Sequence, residues 1–274
     1  EIFRRMEGWL SRRTVLVKEY YPTKLATRDE DSRVRARTDN DKRLFDQGRK
    51  LFFQEAGMLA AFEHPNIITI RHFFPANGTI YTVMDYHPGC SLFGLIRHRG
   101  GGLEESRIRR VFPPVLRGLE AMHARGVLHL DIKPGNIYLR DEGEPLLLDF
   151  GAVRKILTLD HGGSIPVVSQ GYSPIEQLRR GRSLGPWTDL YAIGATMRAC
   201  IEGKSPMAVR ERCRKPGMPA ARKAFAGQYS RRLLQIIDWT MALKPEDRPQ
   251  SVAELLAVLE PVDDALRASA SEAG

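Results

Sequence analysis

Two short stretches concentrate residues able to do chemistry. His129-Leu130-Asp131-Ile132-Lys133-Pro134-Gly135-Asn136 places a carboxylate, an ammonium and a carboxamide close together, and Asp149-Phe150-Gly151 adds a second carboxylate after a β-like run. Taken singly, Asp131 and Asn136 are ordinary turn residues, since both side chains cap backbone readily. Taken with Lys133 and Asp149 they form a set suited to phosphoryl transfer. That reaction asks for little covalent work and much positioning: an oriented hydroxyl, metal ligands, and cations against the developing charge.

The two stretches closely resemble the catalytic loop and the metal-binding triplet of protein kinases. The resemblance runs from about Val15 to Leu259, nearly the whole chain. It implies that Asp131 accepts or orients the proton of a substrate hydroxyl, and that Lys133 lies against the transferring phosphate of ATP. It also implies that Asn136 and Asp149 hold Mg²⁺, a small cation that prefers hard oxygen ligands, with Mn²⁺ as the alternative ion. Asp-x-Lys-Pro-x-Asn is similar to the serine/threonine group, and Glu19-Tyr20-Tyr21-Pro22 looks like bacterial, Hanks-type members.

Val15-Leu16-Val17-Lys18 resembles the strand that carries the phosphate-binding lysine. Lys18 is expected at the α and β phosphates, in an ion pair with Glu55 on the single helix of the small lobe, because His64-Pro65-Asn66-Ile67 follows at family spacing. Without that context, a surface lysine and a solvent-facing glutamate would be the commoner fates. Tyr81-Thr82-Val83-Met84-Asp85-Tyr86 resembles the strand leading into the hinge. Met84 is then expected behind the adenine, with the backbone of Asp85, Tyr86 and His87 bonding the base. Leu16 and Tyr138 stand where the family usually has a small residue and an aliphatic one, so a tight pocket is expected.

The resemblance also marks Gly151 to Tyr172, with Thr158, Ser164 and Ser169, as an activation segment ending in Pro174-Ile175-Glu176-Gln177. Glu176 should pair with Arg248, a buried ion pair bracing the substrate platform. Ser169 should touch Asp131 and Lys133, and Asp189 should hold the backbone of the catalytic loop, although a carboxylate at a helix start also suits the helix dipole. Leu59, Ile70, His129 and Phe150 should pack as a column between the lobes. Two departures stand out. Leu130 replaces the arginine that normally binds a phosphorylated activation segment, so activity should depend less on such phosphorylation. The glycine-rich phosphate loop is absent, and residue 1 falls just past its expected end, so the chain is expected to be truncated there and to bind nucleotide weakly.

The resemblance implies that an α+β, bilobal kinase fold positions these residues. Residues 1–84 should form a small β-rich N-lobe with one main helix, 85–89 the hinge, 90–260 a larger, mostly helical C-lobe, and 261–274 a tail or linker. The pattern predicts strands at Arg13 to Tyr20, Ile67 to Phe74 and Thr79 to Tyr86, the last two joined by a turn at Ala76-Asn77-Gly78. It predicts helices at Leu51 to Phe62, Glu104 to Ala124 and Leu184 to Glu202, with β-like runs at Val127-Leu128 and Leu146-Leu147-Leu148. Thr27 to Arg43 is almost entirely polar and reads as a solvated loop or an irregular helix entry.

Composition sets the remaining bounds. With 274 residues and 42% hydrophobic content the chain can bury a substantial core. Its apolar runs fall far short of the roughly 20 residues that span a bilayer, and no charged-then-apolar leader opens it. The three cysteines, Cys90, Cys200 and Cys213, form no CxxC pair, which suits reduced thiols and a cytoplasmic chain, tethered if at all through segments outside it. The net charge of +9 raises nucleic-acid binding, but the arginine pairs are scattered without aromatic interleaving, so a basic surface docking acidic protein substrates is the simpler account. Expected partners are protein substrates and ATP, with dimerisation as a route to autophosphorylation. The alternatives are a catalytically silent kinase-fold module, which the absent phosphate loop favours slightly, and a small-molecule kinase, which the Glu176 and Arg248 pairing disfavours.

Overall fold

Strand β1 (Ile2–Glu7) pairs antiparallel with β2 (Thr14–Glu19), which carries Lys18 near its end. The chain then makes a small hairpin, β3 (Ala26–Arg28) with β4 (Val34–Ala36), and enters helix α1 (Asp39–Ala60). Strands β5 (Ile70–Ala76) and β6 (Thr79–Asp85) follow as the expected hairpin. Asn77 and Gly78 both have positive φ, 46° and 73°, as a two-residue turn matched to strand twist requires. The sheet order is β1-β2-β6-β5. The structure is a computed structural model describing residues 2–7, 14–141, 143–149, 168–178, 181, 183–214 and 217–260.

Two expectations for this lobe need correction. The polar stretch Thr27 to Arg43 is not a loop but contains most of the β3–β4 hairpin and the first turn of α1, which starts twelve residues before Leu51. Long-range ties order it. The buried Glu19 carboxylate accepts from Arg28 at 2.6 Å and from Tyr81 Oη at 2.7 Å, while Val34 N donates to Asn77 O at 2.8 Å. Ala26, Val34 and Phe45 join Tyr20, Phe52 and Ile80 in a small core of their own. Thr38 caps α1, its Oγ1 accepting from Asp41 N at 3.2 Å, and Asp39 and Asp41 suit the positive end of the helix dipole. Gly48 is needed where α1 crosses Tyr20, because a Cβ there would collide with the tyrosine ring and hydroxyl.

Residues 86–88 lead to β7 (Gly89–Ser91), α2 (Leu92–Arg99) and α3 (Glu105–His123). Helix α3 runs through Pro113-Pro114, which costs about 3 kcal/mol per interior proline. Burial of Ile108, Val111, Phe112, Val115, Leu116 and Leu119, worth about 1.5–3 kcal/mol each, outweighs that cost. Strands β8 (Ile137–Arg140) and β9 (Pro145–Leu147) complete a sheet ordered β7-β8-β9. The β-like run at Val127-Leu128 forms no strand; Val127 N instead closes the end of α3 on Met122 O at 3.1 Å. Ile67 likewise lies outside β5, in an isolated parallel bridge to Leu147.

Helix α4 (Pro186–Glu202) is buried continuously from Thr188 to Ile201, so it is the central post of the larger lobe. Around it stand α5 (Val209–Arg214), α6 (Ala221–Ala224), α7 (Arg231–Thr240) and α8 (Val252–Leu259). One hydrophobic cluster joins Leu59, Ile70 and Met84 of the sheet-bearing lobe to Ile132, Leu147 and the helices below. Among the described residues, no helix is long and apolar enough to cross a membrane.

Candidate active site

The loop after α3 has no regular structure until the 3-10 turn Pro134–Asn136, so its shape must come from side chains. Asp189, completely buried at the start of α4, supplies much of it. Its Oδ2 accepts from His129 N at 2.9 Å and from His123 Nε2 at 2.8 Å, and its Oδ1 accepts from Leu130 N at 2.7 Å. Burial works against the Asp189 charge, yet the His123 contact and the His129 contacts hold its carboxyl below the usual range. Leu130 has φ +56°, a conformation costing about 1–3 kcal/mol. Hydrogen bonds to a charged group are worth about 1.5–3 kcal/mol each, so the Asp189 contacts exceed that cost. Gln177 adds a further restraint, donating from Nε2 to Leu130 O at 2.9 Å.

Held this way, the loop presents a compact polar cluster. Ser169 Oγ donates to Asp131 Oδ1 at 2.7 Å, and Lys133 Nζ donates to Asp131 Oδ2 at 2.9 Å and Ser169 Oγ at 3.3 Å. Asn136 Nδ2 donates to Asp131 O at 2.8 Å and to Asp131 Oδ2 at 3.1 Å. The amide nitrogen is thus committed to Asp131, which leaves Oδ1 as the atom able to serve a cation. His129 is completely buried; its Nδ1 accepts from Asp131 N at 3.3 Å and its Nε2 donates to Leu148 O at 3.2 Å. Both ring nitrogens face the backbone, which gives His129 a structural role in the loop.

From the opposite lobe, Lys18 forms an ion pair with Asp149, whose own φ is +55°. A cavity of about 30 Å³ lies beside them, lined among others by Glu55, Leu59, Ile70 and Met84. Glu55 is buried on α1 in the wall of this cavity, and Leu16 is the cross-strand partner of Met84. At the link between lobes, Tyr138 Oη donates to His87 O at 3.1 Å, and Arg71 holds Asp85 through paired bonds of 2.8 and 2.6 Å. Burial raises the Tyr138 hydroxyl above its ordinary range. Burial first, then the nearby Arg140 charge, lowers His87. Tyr86 lies in the same linking segment, partly buried. Phe150, the fourth member of the expected column, and Thr158 and Ser164 lie outside the described residues.

Beneath the loop, Arg248 meets Glu176 through bonds of 2.6 and 3.2 Å, with both side chains essentially inaccessible. The remaining guanidinium donors reach Ala242 O at 2.8 Å and Leu243 O at 3.0 Å, while Thr188 Oγ1 donates to Glu176 Oε1 at 3.2 Å. Arg248 also lies over the Tyr191 ring at 4.8 Å. The structure therefore brings together Asp131, Lys133, Asn136 and Ser169, joins Lys18 to Asp149, and supports the loop through Asp189, Glu176 and Arg248. Sequence reasoning missed His123, Gln177, the Tyr138 bond to His87 and the Arg71 fork on Asp85. For Gln177 the available signal was its place directly after Glu176; His123 offered only its position at the end of an amphipathic helix.

Comparison with known proteins agrees with this fold. The model of the protein kinase domain family matches residues 24–259. Serine/threonine-protein kinase STE20 of Saccharomyces cerevisiae is 31% identical over 214 residues, covering 76% of this chain and 22% of that protein. Serine/threonine-protein kinase PknA of Nostoc is 30% identical over 230 residues, covering 81% of this chain and 40% of that protein. The chain thus spans less than half the length of these curated relatives. Among solved structures, one titled PpkA-294 apo form superimposes with a TM-score of 0.82 at 37% identity, covering 91% of this chain and 88% of that one.

Proposed function

This chain belongs to the protein kinase family, and we propose that it transfers the γ-phosphoryl group of ATP to serine and threonine hydroxyls of protein substrates. The observation that carries this reading is the Asp131 carboxylate, oriented by Lys133, Asn136 and Ser169, together with the Lys18–Asp149 ion pair at the edge of a small cavity. Residues 1–84 act as the nucleotide-binding lobe, 85–89 as the hinge and 90–260 as the substrate-binding lobe; 261–274, expected as a tail or linker, lie outside the described residues.

In this reading Asp131 accepts the proton of the acceptor hydroxyl as its oxygen bonds to the γ-phosphorus and the bond to the β,γ-bridging oxygen breaks, releasing ADP. Lys133 offsets negative charge on the group in transit, and Lys18 leaves Asp149 for the α and β phosphates with Glu55 beside it. Met84, Leu16 and Tyr138 enclose the adenine, and the backbone of Asp85, Tyr86 and His87 meets its edge. Asn136 Oδ1 and the Asp149 carboxylate fit Mg²⁺, which when bound neutralises charge on the β and γ phosphates. Among the described residues no group of three or more His, Cys, Asp or Glu side chains converges. That suits a cation held by one carboxylate, one amide, water and the phosphates themselves.

The test is transfer from labelled ATP to a generic acidic or basic protein, followed by identification of the modified amino acid. Label on serine or threonine that disappears in both Asp131→Ala and Asp149→Ala is expected. Transfer unchanged in both variants would end the assignment.

A further inference from the structure

The segment that carries Ser169 also forms one wall of a groove of about 410 Å³, whose other wall is the start of α5. Ser169 Oγ lies 2.7 Å from the Asp131 carboxylate, so one residue of the groove's lining touches the group that receives the substrate hydroxyl in the proposed reading. The segment is fixed to the loop before α5 by close contacts. Gly171 (φ +86°) packs so closely on Pro206 O that no side chain fits, and Tyr172 Oη is 3.2 Å from Ser205 Oγ.

Its lining is apolar at Val168, Leu178 and Val209, with Arg210, Glu211 and Arg214 completing it. Arg210 and Arg214 are exposed, one helical turn apart, and among the described residues neither has an ion-pair partner. Arg212, on the same helix, is already engaged, donating to Tyr191 Oη at 2.9 Å. Two guanidiniums against the single Glu211 carboxylate leave the groove positive, in a chain of net charge +9.

We propose that this groove selects the protein substrate, receiving an anionic side chain that lies a few residues from the phosphorylated hydroxyl, with Arg210 and Arg214 as the specificity-determining residues. The inference rests on the phosphotransferase reading and adds the chemical class of its substrate. Planar guanidiniums suit both carboxylate and phosphate, so acidic residues and previously phosphorylated ones share the required chemistry. A basic side chain in the same place meets like charge, which is how a groove of this kind discriminates as well as attracts.

The test uses synthetic peptides with one serine acceptor and Ala, Glu, Lys or phosphoserine placed in turn at each flanking position. For the full protein, kcat/KM should favour Glu over Lys by about tenfold at one or two of those positions. Phosphoserine above Glu there would identify a primed substrate, and Glu equal to or above phosphoserine an acidic one. The double variant R210E/R214E should abolish or invert the preference, with its thermal midpoint and peptide-independent ATP hydrolysis unchanged. Equal labelling of Glu and Lys peptides by the unaltered protein would overturn the anionic preference while leaving the phosphotransferase reading intact. Absence of label in every peptide would overturn both.

Discussion

Asp189, Glu176 and Arg248, beneath the catalytic loop, are sealed from water at 0%, 2% and 2% exposure, whereas Asp149 across the cleft keeps 34% of its side chain accessible. The lower groups meet backbone N–H and C=O groups as well as one another, so their positions are set by folding alone. In the upper pair Lys18 is buried but Asp149 reaches solvent, and in the proposed reading each exchanges its partner for a ligand. The difference teaches that this protein separates two tasks that charge can perform. Below the cleft it fixes the shape of a loop that has no regular structure; above, in the proposed reading, it serves phosphate and metal.

That contrast can be broken most directly by removing one charge from each region. Glu176→Ala leaves the Arg248 guanidinium buried without its carboxylate and should cost about 3–5 kcal/mol of stability, read by urea denaturation. Lys18→Met should cost less than Glu176→Ala, because the Asp149 carboxylate it leaves is one-third exposed and can turn to solvent, while labelled transfer disappears. Comparable stability losses in the two variants would erase the distinction.

A smaller effect sharpens the account of the loop. Asp189→Asn should destabilise the fold by about 1–3 kcal/mol at pH 7, since an amide NH₂ then faces a backbone donor. The direction with pH follows from the lowered carboxyl. Burial opposes the charge, but the contacts with His123 and His129 hold the folded value below the unfolded one of about 3.9. The stability Asp189 contributes is therefore present above about pH 4 and lost as pH falls through its folded value. The unaltered protein should lose its advantage over Asp189→Asn on acidification, and a constant gap down to pH 2 would contradict this.

The smallest effect belongs to the roof. Tyr138→Phe removes only the bond to His87 O and should cost about 0.5–1.5 kcal/mol in thermal denaturation. The affinity for Mg·ATP, followed by titration, should change by no more than about threefold. A larger change would make the hydroxyl part of nucleotide recognition rather than a tie between two backbone segments.

Much of the site was legible because its groups lie in runs with fixed internal spacing. Asp131, Lys133 and Asn136 come from one loop, and Ser169, Glu176 and Asp189 follow at short intervals, so a resemblance of types and distances located them together. The β3–β4 hairpin was not legible for the opposite reason. Its residues are polar, and what orders them is a Glu19 carboxylate from β2, a Tyr81 hydroxyl from β6 and the carbonyl of Asn77, none of which is near in sequence. The early start of α1 escaped notice because its first turns are exposed and hold through the Thr38 cap rather than an apolar stripe. His123 was missed because a histidine ending a helix shows nothing of the Asp189 carboxylate it will meet sixty-six positions later.

The apolar cluster that runs unbroken from Leu59, Ile70 and Met84 into Ile132 and Leu147 has a mechanical meaning. Two bodies joined by a continuous hydrocarbon seam resist being pulled apart, because parting them would expose apolar surface at about 25 cal/mol per Å². The sheet-bearing lobe is therefore tied to the helices below it along this line, whatever the polar groups nearby are doing.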